Sequence, residues 1–69
     1  MSPKELLISL NTNTGVASNM VEDLVSHAMI NDSIHGSKIN DVRHIKKCLC
    51  EALSNVTQIE VEMDKLTHF

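Results

Sequence analysis

Val42, Ile45, Leu49, Ala52, Val56, Ile59, Met63 and Leu66 succeed one another at steps of 3, 4, 3, 4, 3, 4 and 3. That spacing is an a/d heptad seam, held for three and a half heptads with no Gly or Pro to interrupt it. A helix with an unbroken apolar stripe must lay it against another helix. The stretch 41–66 therefore predicts one long helix and demands a second helical surface, from this chain or from another.

The same chain offers a partner. Ser2-Pro3-Lys4-Glu5 reads as a helix start: Ser2 can cap, Pro3 sits where its missing N–H costs nothing, and Glu5 falls at the acidic position of a capping box. Leu6, Leu7 and Leu10 begin an apolar face. Residues 11–15, Asn-Thr-Asn-Thr-Gly, are weak helix formers. Two readings stay open there. The helix ends near Leu10 and restarts near Val16 with Thr14 as cap, or it runs through, straight or kinked. Leu7, Leu10, Thr14, Ala17, Val21, Leu24 and Ala28 keep one phase across the polar patch, which favours the second reading. Length favours it too, because the seam helix spans roughly 40 Å at 1.5 Å per residue and needs an equally long neighbour. Residues 31–37 gather Asn, Asp, Ser and Gly and read as the turn. Gly36 is the candidate for positive φ, and Ser37 or Asn40 for the next helix cap. The expected fold is all-α: a single-domain antiparallel helical hairpin with a helix over about 3–31, a turn over 32–38 and a helix over about 40–67.

A hairpin of this size needs help. The chain has 69 residues, no Trp, no Tyr and a single Phe at its end, so its core is aliphatic. Chains of this length bury roughly 60% of their unfolded surface and are marginal alone. The hairpin is therefore expected to complete a bundle by homodimerising or by docking on a protein partner. Leu53 lies beside the seam and widens it, and Met20 and Met29 widen the first helix's stripe. The interface expected for a partner or a second copy is Met20, Met29, Leu49, Leu53, Val56, Ile59 and Met63. Methionines suit an adaptable binding surface, although they more often serve as plain core.

The second helix is charged against its own dipole. Arg43, Lys46 and Lys47 stand at its start, and Glu60, Glu62 and Asp64 near its end. Two arrangements neutralise this. In a hairpin folded about residue 35, Glu22 and Asp23 come level with Lys46 and Lys47, and Lys4 falls near the acidic end. In an antiparallel homodimer crossing near Leu53, Arg43 meets Asp64, and Lys46 and Lys47 meet Glu60. Solvated faces that pair with nothing are the plain alternative.

Chemistry-bearing motifs are scarce. His44 and Cys48 share a helix face but form only half of a metal site. His27 and His35 are eight apart, with His35 in the turn. Cys48 and Cys50 point about 200° apart on a helix and cannot bridge each other. They read as reduced thiols, with an intermolecular disulfide as the alternative. No catalytic constellation, cofactor, metal or small-molecule substrate is expected. The net charge of −3 disfavours nucleic acid as the main partner, despite the short basic patch at Arg43, His44, Lys46 and Lys47. No stretch is long and apolar enough to span a membrane, and the N-terminus lacks a signal-peptide pattern, so the expected compartment is the cytoplasm.

A length near 70, a helix starting almost at residue 1, a turn with Gly36 and a second long helix centred on Glu51-Ala52-Leu53 resemble the YscE-type co-chaperones of type III secretion needle subunits. That resemblance implies a helical hairpin docked on a partner chaperone of helical repeats, holding the needle subunit unpolymerised in the cytoplasm. Leu24-Val25 with Met29, the Gly36 turn, and Ile45, Leu49 and Leu53 are also similar to AriR/YmgB-like regulators. This second resemblance implies a small helix–loop–helix dimer in biofilm or acid-stress signalling. The function expected is a non-catalytic protein-interaction module, as such a co-chaperone or, alternatively, as such a regulator.

Overall fold

The computed structural model describes residues 2–67. Two α-helices of 29 residues each, α1 (Pro3–Asn31) and α2 (Ile39–Thr67), pack against each other as an antiparallel hairpin. A 3-10 turn at Gly36–Lys38 leads directly into α2. The all-α hairpin read from the heptad seam is the architecture found.

The start of α1 follows its sequence. Ser2 is extended, and its Oγ accepts the Glu5 N–H at 3.2 Å while its carbonyl accepts the Leu6 N–H at 3.0 Å. The Glu5 N–H, one of the donors orphaned at a helix start, is thereby satisfied, and the Leu6 N–H makes the first regular helical bond. Residues 11–15 do not break the helix. Thr12 Oγ1 donates to the Ile8 carbonyl at 3.0 Å and Thr14 Oγ1 to the Leu10 carbonyl at 2.8 Å. These hydroxyls bond back onto their own helix, so they no longer compete for a turn. Gly15 takes negative φ like its neighbours.

The turn departs from expectation in two places. Positive φ belongs to Asp32 (φ 55°), not to Gly36. The left-handed residue must directly follow the last helical one, and Asp32 holds that place; Asp is among the few residues that tolerate it. The cap found here is that of the 3-10 turn: His35 Nδ1 accepts the Ser37 N–H at 3.0 Å, while Ser37 and Asn40, the expected caps, lie inside that turn and inside α2. His35 in turn donates its own N–H to His27 Nε2 at 3.4 Å, which ties the loop back to the last turns of α1.

The inward columns have a clear period. On α1 they are Leu6, Leu10, Asn13, Ala17, Met20, Leu24 and His27, all buried or half-buried. On α2 they are Asp41, Ile45, Cys48, Ala52, Asn55, Ile59 and Glu62, again all buried or half-buried. Ala17, Ile45 and Cys48 form a buried cluster, with Met20 and Leu24 packed on it. A cross-helix hydrogen bond, Asn13 Nδ2 to Asn55 Oδ1 at 3.1 Å, ties the two helices in register. The result is a rod of 56 × 15 × 15 Å with a radius of gyration of 16.0 Å, against about 11 Å for a compact domain of this length.

Candidate protein-interaction interface

The inward columns define heptad positions. Ala17 and Ile45, Ala52 and Ile59 are at a; Asn13, Cys48 and Asn55 are at d. The seam read from sequence is then not a/d. It is a/e: Ile45, Ala52 and Ile59 face α1, while Val42, Leu49, Val56 and Met63 fall one position further round and are exposed. The d column facing α1 is largely polar instead: Asp41, Cys48, Asn55, Glu62. The hairpin thus buries only one half of the α2 stripe. The first helix repeats the offset, with Ala17 and Leu24 inside and Leu7 and Val21 outside.

In an antiparallel pair, e positions flank one side of the seam on both helices and g positions flank the other. On the e side, Leu7 comes level with Met63, Thr14 with Val56, Val21 with Leu49 and Ala28 with Val42. Every member but Thr14 is apolar. On the g side stand Ser9, Val16, Asp23 and Ile30 of α1 against His44, Glu51, Gln58 and Lys65 of α2, six polar residues of eight. One broad side of the hairpin is therefore an apolar ribbon, and the other is mostly polar. Leu53 extends the ribbon at position b and is 67% exposed; Leu49 is 51% and Met63 58% exposed.

The expected interface residues divide along these columns. Leu49, Leu53, Val56 and Met63 lie together on the ribbon. Met20 is half-buried in the cluster inside the hairpin, and Ile59 is half-buried at an inward a position. Met29, 81% exposed, stands at f near the turn, away from the ribbon. Leu7, Val21 and Val42, read from sequence as seam, belong to the ribbon. Their seven-residue spacing carried the signal, but only the polar d column shows which way that column faces.

The charges divide as well. Lys46 and Glu60 are at b, seven residues either side of Leu53, and border the ribbon. Arg43 and Asp64 are at f and Lys47 at c, on the outer surface. Glu62 is at d and pairs with Lys65 Nζ at 3.3 Å. Glu22 and Asp23 reach the height of Lys46 and Lys47 but occupy f and g, so they stand on different columns from those lysines.

Among the described residues, no three His, Cys, Asp or Glu side chains converge to hold a metal. A shallow furrow outside α2 is lined by Cys50, Leu53, Ser54, Thr57, Gln58 and Val61, all from one helix. Among the described residues, no helix is long and apolar enough to cross a membrane. No family model matches this chain, and neither a curated protein nor a solved structure matches it.

Proposed function

We propose that this protein is a non-catalytic protein-interaction module that works by burying the apolar ribbon against other helices. The observation that carries the reading is the uneven division of the two sides: large aliphatic side chains line the e side along both helices, whereas the g side is polar apart from Val16 and Ile30. A patch of that extent marks an interaction surface, and helix-in-groove packing is the mode it suits. Docking on a helical partner chaperone, as the co-chaperone resemblance implies, would use this face.

Methionine footprinting tests the module reading. In cells, Met63 is expected to resist oxidation relative to Met63 in urea-unfolded chain, because a partner covers the ribbon. Equal oxidation in both states would refute the reading. The regulator alternative draws on a separate observation: Arg43 and Lys47 point away from the ribbon and would stay accessible after it is covered. It requires duplex DNA binding that weakens steeply between two salt concentrations, and salt-insensitive or absent binding removes it.

A further inference from the structure

We infer that the ribbon's partner is a second copy of this chain, packed through α2 against α2 in antiparallel fashion about a two-fold axis near Leu53; the inference rests on the module reading above. The charge pattern selects this occupant. Lys46 and Glu60 sit at equal distances on either side of Leu53, in the same column, at the edge of the apolar face. A two-fold axis at Leu53 sets Lys46 of each protomer against Glu60 of its partner. A parallel alignment sets like charges against each other at both positions instead. The apolar column is symmetric about nearly the same point, since Leu49 exchanges with Val56 and Val42 with Met63. A surface that complements itself under one rotation is what an isologous dimer requires.

The exposed area agrees. A monomeric globular protein of this length exposes about 4,300 Å², whereas this chain exposes 5412 Å². Removing the excess of about 1,100 Å² from each of two copies would bury about 2,200 Å², within the range of obligate homodimers. Two hairpins joined in this way form a four-helix bundle, with the polar g sides turned outward.

Sedimentation equilibrium of the full chain tests the inference, with twice the chain mass expected at micromolar concentration. Leu53→Asp should weaken the dimer by about a hundredfold, because it puts a charge at the centre of the interface on both sides. Lys46→Glu should weaken it by about tenfold, and Lys46→Glu with Glu60→Lys should restore it, because the swap re-creates both pairs. Circular dichroism of each variant separates lost association from lost helix. Orientation is read by cross-linking in a Cys48→Ser, Cys50→Ser background. Leu53→Cys, on the axis, should form a disulfide-linked dimer, and Gln58→Cys, on the g side, should not. A monomer at every concentration overturns the inference, as does failure of the charge swap to restore the dimer. A monomeric purified chain whose Met63 is nonetheless protected in cells assigns the ribbon to a different protein: the module reading then stands and self-association falls.

Discussion

Asn13 and Asn55 meet inside the seam between the helices, Nδ2 to Oδ1 at 3.1 Å, with Ser9 Oγ a further 3.5 Å acceptor for the same amide. A polar pair at one layer of a helical seam costs stability and specifies alignment, because a slipped register separates the two amides and breaks their hydrogen bond. Asn13→Leu with Asn55→Leu is therefore expected to raise stability by about 1 kcal/mol while loosening register. Urea melts read the first effect, and added or broadened amide resonances read the second. His35 is the other residue whose side chain does what its type rarely does. Because its Nδ1 caps the 3-10 turn, His35→Ala should cost about 1 kcal/mol and His35→Asn should recover most of it. Equal melts for the two variants would show that the cap contributes nothing.

At the scale of the elements, the continuity of α1 is the informative result. Thr12 and Thr14 satisfy themselves within the helix and Asn13 finds α2, so three of the five residues in the polar patch have helical employment. Gly15 has none. A methyl group added there meets no atom within 4 Å, and its φ is not positive. Gly15→Ala is therefore expected to stabilise the chain by about 1 kcal/mol, read as a higher denaturation midpoint at unchanged helicity. The pattern shows how far the sequence was legible. Steps of 3 and 4 located both helices and their antiparallel pairing, and Ser2-Pro3 marked where α1 begins. The phase of the seam was not legible. An apolar stripe records every surface a helix buries, whether against its own chain or another, and Ile45 and Leu49 look alike in that record although only Ile45 faces α1. The positive φ at Asp32 escaped for a related reason: composition points to Gly, whereas the backbone asks only which residue follows the last helical turn.

For the whole molecule, the shape sets the thermodynamics. Two helices in contact can shield little more than one strip of each, and a 56 Å rod has no third layer among the described residues. If the ribbon is closed by a second copy, folding and association are one equilibrium. The urea midpoint should then rise with protein concentration, each tenfold increase adding about 1.4 kcal/mol to the apparent stability of the dimer. A concentration-independent midpoint would mean that the lone hairpin carries its own stability.

The two cysteines stand two residues apart on α2, Cys48 buried in the hairpin and Cys50 exposed on its outer surface. They form a built-in pair of clocks. The outer thiol reacts with a soluble reagent at the rate of an open site and calibrates the reagent. The inner thiol reacts only when the helices part, so its lag behind the first measures how often this hairpin opens, without any label added to the chain.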